Sequence, residues 1–147
     1  MNASISDLMR RASPETQHQI KVLLRQDADD AAWAEQLGPA YRQVDVARLL
    51  GKSRQAVSAD HGLLRLEMRD GEIGYPVFQF EGRRQLPGVR QVVGLLGPVV
   101  ASPWTLASWL TSASAALDGQ SPIQALRKHK ADAVTALARQ TAEALAH

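Results

Sequence analysis

Between Gln43 and Ser58 the chain reads QVDVARLLGKSRQAVS, and Lys52, Ser53, Arg54, Gln55 and Ser58 crowd the second half of that stretch. These residue types suit the edge and backbone of a DNA duplex. The Arg54 guanidinium can fork onto the O6 and N7 of a guanine, and the Gln55 amide can pair with the N6 and N7 of an adenine. Ser53 and Ser58 are short enough to reach a phosphate or a base, and Lys52 adds a cation. Gln43, eleven positions before Arg54, is placed to donate to a phosphate from the start of a preceding helix. Further on, Arg83 and Arg84 in FEGRRQLPG are candidates for sequence-independent contacts to the flanking backbone.

Such groups need elements that hold them forward. Val44, Ala47 and Leu50 recur on one helical face, and Gly51 ends that helix in a left-handed conformation that glycine adopts at little cost. Ser53 caps a second helix running from Arg54 to about Gly62. Val57 points back at Ala47, whose small side chain lets the two helices cross closely. Two helices joined by a short glycine turn describe a helix-turn-helix, in which the second helix enters the major groove. The following LLRLEMRDGEIGYPVFQF alternates apolar and polar residues on both sides of Asp70-Gly71, which predicts a β-hairpin wing, with Pro76 placing its second strand at an edge or bulge.

Charge follows the same map. Residues 41–90 carry nine Lys/Arg against six Asp/Glu, whereas residues 1–40 carry four against six. With 147 residues and 45% hydrophobic side chains, the chain can bury a core. It contains no cysteine, no apolar run near the roughly 20 residues of a membrane span, and no signal-peptide centre at its start, so the expectation is a cytoplasmic protein without a membrane partner. Enzymatic chemistry has little to build on. His18, His61, His129 and His147 are scattered without a second histidine one helical turn away, and no nucleotide-binding glycine loop or G-x-S-x-G elbow occurs. We therefore expect neither an enzyme nor a cofactor or metal site.

The flanks read as helices. Ser13-Pro14 and Asp29 or Asp30 cap two N-terminal helices, the second carrying Trp33 and Leu37 and stopping at Gly38. Past residue 85, Pro87, Ser102-Pro103 and Ser121-Pro122 open further helices, and an alanine-rich helix from about Ala131 closes the chain. The fold class expected is mainly α, with a helical segment over residues 1–40, a winged helix-turn-helix over 41–84 and a helical domain over 85–147.

Gln43, Ala47, Gly51 and Val57 resemble the marked positions of the lambda-repressor-like, Xre-type helix-turn-helix. From there to the end, the ordered series of Tyr75-Pro76, Phe78-Gln79-Phe80, Pro87-Gly88, Trp109-Leu110, Leu117-x-Gly119 and Ser121-Pro122 with Leu126 resembles the Xre/MbcA/ParS antitoxin family. The sequence departs from that family in carrying Asp118 where a further glycine is frequent, and TSASAA at 111–116 in place of an Asn/Pro-containing turn. The resemblance implies a type II antitoxin that binds operator DNA as an autorepressor and as a homodimer or larger assembly. It also implies a C-terminal region that covers the active site of a RES-domain toxin that consumes NAD. On this reading Trp109, Gly119, Arg139, Gln140 and Glu143 face the toxin. The final helix shows a thin apolar stripe of Val134, Leu137, Ala138 and Leu145, which suits either docking on another protein or capping of its own domain. The alternatives are a stand-alone helix-turn-helix regulator and an interaction module that does not bind DNA.

Overall fold

The computed structural model describes residues 37–146. The N-terminal helices expected before Leu37, with their caps and Trp33, lie outside the described residues. Within them the chain is mainly helical, with five short strands. Strand β1 (Ala40–Tyr41) leads into α1 (Gln43–Leu50) and α2 (Arg54–Ala59), followed by β2 (Leu66–Glu67) and β3 (Ile73–Pro76). A 3-10 turn (Val77–Gln79) connects to β4 (Phe80–Glu81) and β5 (Arg84–Gln85). The rest is helical: α3 (Val89–Leu96), α4 (Pro103–Thr111), a second 3-10 turn (Ala115–Leu117), α5 (Pro122–Arg127) and α6 (Ala131–Ala146). No described helix is long and apolar enough to cross a membrane.

The hairpin forms where the alternation places it, turning at Asp70-Gly71. Gly71 has φ +83°, and the Asp70 carboxylate accepts the Glu72 N–H at 2.9 Å. Two expectations change. β3 is the centre of a three-stranded antiparallel sheet of order β1-β3-β2, because residues 40–41 add a strand that no alternation announces. Pro76 is accommodated at the last position of β3, opposite Ala40 and beyond the end of β2. Val77 donates to Pro39 O at 3.1 Å, so the neighbouring Ala40/Pro76 pair is of the type that exchanges no hydrogen bonds, and the missing N–H costs nothing. Phe78-Gln79-Phe80 does not continue β3: Phe78 and Gln79 leave the sheet through the 3-10 turn, and Phe80 starts a second hairpin, in which it pairs with Gln85 and Glu81 with Arg84.

Two apolar clusters hold the fold. The smaller joins Val46, Ala47, Val57, Leu63, Tyr75 and Phe80. The larger centres on α3 to α6 and includes Trp109, Leu110, Val92 and Val134. The boundary between them does not follow residue 84, since Leu37, Leu64 and Leu66 pack into the larger cluster. In α1 the core face is Val46 and Ala47, with Val44 and Leu50 only half buried, one position round from the face expected.

Ser102 caps α4 by accepting the Trp104 N–H at 3.1 Å, and Ser121 caps α5 in a reciprocal box with Gln124. α3 starts at Val89 rather than Pro87, because Gly88 takes φ +99°. Asp118 adopts φ +58°, a region in which Asp is among the few tolerated side chains. Helix α6 lies against α3 and α5 with Val134, Ala138 and Thr141 at 0% exposure. Its stripe therefore includes Thr141 and leaves Leu145 half buried, and the helix is part of its own domain's core.

Trp104 and Trp109 fall on different faces of α4. Trp109 is buried, while Trp104 is half exposed and its Nε1 donates to Glu67 O at 3.2 Å, on the outer side of β2.

Candidate nucleic-acid interface

The turn between α1 and α2 is closed by the backbone. Gly51 sits at φ 63°, ψ 39°, its N–H bonds Arg48 O at 3.3 Å, and the Lys52 N–H reaches Ala47 O at 2.9 Å. This doubly bonded glycine cap satisfies the last carbonyls of α1 and swings the chain away. Ser53 then starts α2, its Oγ accepting the Ala56 N–H at 3.0 Å. Val57, with 0% exposure, packs beside Ala47. Anchored through that one face, α2 turns Lys52, Ser53, Arg54, Gln55 and Ser58 to the solvent, all of them exposed.

Gln43 has a different place from the one its spacing implied. Its Nε2 donates to the Arg54 carbonyl at 2.8 Å, so it ties the starts of the two helices together. At most one amide hydrogen is left for a phosphate. Ser53 is also partly committed, since its hydroxyl oxygen serves the cap.

The end of α2 is held by two arginines that spacing did not single out. Arg65 donates from its guanidinium to Ser58 O at 2.9 Å. Arg90, from the first turn of α3, grips Asp60 with both terminal nitrogens, at 2.7 and 2.8 Å. Asp60 also accepts the Gly62 N–H at 2.9 Å. Helix α2 consequently stops at Ala59, three residues short of Gly62, and His61 lies beyond it. The Arg90 guanidinium holds the Asp60 carboxyl below the usual carboxylate range, and Asp60 in turn raises Arg90. An arginine following a glycine-containing loop, with an aspartate at the preceding helix end, was the available signal; the thirty-residue separation hid it.

Two hairpins flank the helices. The Asp70-Gly71 turn approaches the start of α1, where Arg42 meets Asp70 at 3.4 Å and Glu72 at 3.8 Å. The Glu72 N–H and then Arg42 lower the Asp70 carboxyl. The second hairpin stands at the other end of the pair. Gln85 Nε2 donates to Gly62 O at 2.8 Å, just past α2, and Arg83 and Arg84 are exposed at the tip.

The chain is similar in fold to the NMR structure of Rv2175c, with a TM-score of 0.59 and 21% identity over 69% of this chain and 79% of that chain. At that identity the likeness concerns the fold alone. No protein-family model and no curated protein matches the chain.

The residues expected to face a toxin do not form one patch. Trp109 is wholly buried in the larger cluster, where its indole Nε1 meets no acceptor among the described residues; it packs the core and offers no surface. Gly119 is exposed, with φ +82°. Arg139, Gln140 and Glu143 are exposed along the outer face of α6. Among the described residues no group of three His, Asp or Glu side chains is arranged to hold a metal ion.

Proposed function

We propose that the chain is a DNA-binding autorepressor that reads its operator through α2 and also serves as the antitoxin of a type II toxin–antitoxin pair. The observation that carries the DNA-binding half is the exposed set Arg54, Gln55 and Ser58, with Lys52 in the turn before them, on a short helix fixed at both ends, by Gln43 at its start and by Arg65 and Arg90 at its finish. Side chains held on so constrained a helix lose little backbone freedom on binding, which favours direct readout of bases over non-specific attraction. Arg83 and Arg84 supply backbone contacts beside it.

The antitoxin half rests on the family resemblance. Its partner is a RES-domain, NAD-consuming toxin, and with Trp109 in the core the toxin-facing surface reduces to Gly119 and the outer face of α6. A homodimer fits this role, because one α2 buries too little surface for tight binding and two-fold operators favour two-fold proteins.

The test is selection of bound duplexes from a random library, followed by gel shifts on the selected site and co-purification with the toxin encoded nearby. A selected site that Arg54→Ala no longer prefers supports DNA readout, and capture of the toxin by the same protein supports the second role. Specific DNA binding without toxin capture leaves a stand-alone regulator. Toxin capture without DNA binding leaves an interaction module.

A further inference from the structure

We propose that the corner between α5 and α6 is a second, sequence-independent DNA-backbone contact, made by Arg127, Lys128 and Lys130. The inference rests on the DNA-binding reading of α2 and adds to it a part of the helical body that neither that reading nor the toxin-facing one uses.

Residues 127–130 read RKHK, and all four are exposed. Lys128 and Lys130 have no ion pair among the described residues, and the one nearby carboxylate in sequence is Asp132, so the corner keeps a positive excess. The backbone beneath them is fixed. His129 adopts φ +62°, its N–H bonds Leu126 O at 3.0 Å, and the Lys130 N–H bonds Ala125 O at 3.0 Å. This is a doubly bonded helix cap with histidine in the glycine position, so the two ammonium groups project from a closed turn and not from a loose loop.

Contacts place the corner next to the DNA-facing elements. Arg127 donates to Phe78 O at 3.2 Å, against the segment that feeds the second hairpin with its exposed Arg83 and Arg84. On its other side, Leu126 and Ala131 close around Gly88 at the start of α3, two residues before Arg90, which grips Asp60 at the end of α2. The cations of the hairpin and of the α5–α6 corner are thus bridged to α2 by direct contacts, through the start of α3, where Asp60 balances the charge of Arg90. A basic path of this kind matches a phosphate backbone running past the site read by α2. An acidic protein surface is the competing occupant, and the experiment separates the two.

The experiment measures the affinity of the full chain for its selected site and for a random-sequence duplex across a salt series, by fluorescence anisotropy. Lys128→Gln/Lys130→Gln is compared with the unaltered protein and with Arg54→Ala. Each lost phosphate contact lowers the slope of log affinity against log salt by about 0.9. The double variant is expected to reduce the slope by about 2, and to weaken both duplexes alike by roughly tenfold or more at 0.1 M salt. Arg54→Ala is expected to lose preference for the selected site with a smaller change in slope. An unchanged slope in the double variant, with site preference intact, overturns the corner contact and leaves the reading of α2 standing. Failure of the unaltered protein to bind any duplex at low salt overturns both. Since glutamine keeps a polar side chain only one atom shorter and both positions are exposed, an unchanged melting temperature is expected. Should the double variant melt early, Lys130→Gln alone is measured and must lower the slope by about 1.

Discussion

The side-chain amide of Gln79 pairs with the backbone of Leu64 as a neighbouring strand would: Oε1 accepts the Leu64 N–H at 2.9 Å, and Nε2 donates to the Leu64 carbonyl at 2.7 Å. Gln79 has no exposed surface. Its own carbonyl accepts the Leu86 N–H at 2.7 Å, and Gln85 Nε2 reaches its Oε1 at 3.3 Å. Leu64 and Leu86 belong to the larger cluster and Phe80 to the smaller, so this one amide lies at the joint between the two clusters. Gln79→Ala leaves both Leu64 groups buried without partners and is expected to destabilise the protein by about 2–4 kcal/mol, measured by urea unfolding. A loss below 0.5 kcal/mol would mean that the joint is not held there.

The Arg90–Asp60 pair predicts an acid response of definite sign. The Asp60 carboxyl is lowered in the folded state, chiefly by its hydrogen bonds from Arg90. Its contribution is therefore complete above the unfolded value of 3.8 and disappears as pH falls through the lower folded value. Asp60→Asn should remove part of the stability lost below about pH 4 and cost about 1 kcal/mol at pH 7, the pair being half exposed on the arginine side. Parallel thermal melts at pH 3 and pH 7 check both halves: the two proteins should converge at the acid end.

Arg54→Ala should cost about 1–3 kcal/mol on the selected site and relax preference at a single base pair. Arg84→Ala should weaken all sequences alike and flatten the salt dependence. Competition gel shifts with singly altered sites separate these. Equal losses on every sequence for Arg54→Ala would remove it from base readout.

Truncation after Lys130 exposes the sites that Val134, Leu137, Ala138 and Thr141 cover on α3 and α5. The expected outcome is loss of the cooperative melting transition in circular dichroism. Arg139→Ala/Glu143→Ala, on the outer face, should melt within about 0.5 kcal/mol of the unaltered protein. Loss of toxin capture by that stable variant is the expected sign that this face docks.

Much of this was legible because local chemistry decided it. Gly51, Ser53 and Val57 announce the helix-turn-helix, Asp70-Gly71 the hairpin, and the Ser-Pro pairs at 102 and 121 the helix starts. What escaped depends on partners distant in sequence. β1 exists because β3 offers it an edge, and residues 40–41 have no period of their own. The early end of α2 is set by Arg65 and Arg90, the second of them thirty residues away. The family resemblance set Trp109 against a toxin, and only the packing of α4 shows it to be core. Gln43 was read from its place at a helix start, whereas its amide is drawn to a carbonyl eleven residues on.

The indole of Trp104 has a consequence beyond its own bond. β2 is one of the two outer strands, and since the Met68 N–H bonds Glu72 O within the hairpin, the alternation of the ladder points Glu67 N–H and C=O away from β3. That carbonyl is already taken by Trp104. A strand from a second molecule arriving there finds its first acceptor occupied and a bulky ring across its path, so the sheet does not grow from the β2 side. An edge closed in this way is protected against edge-to-edge pairing with another molecule.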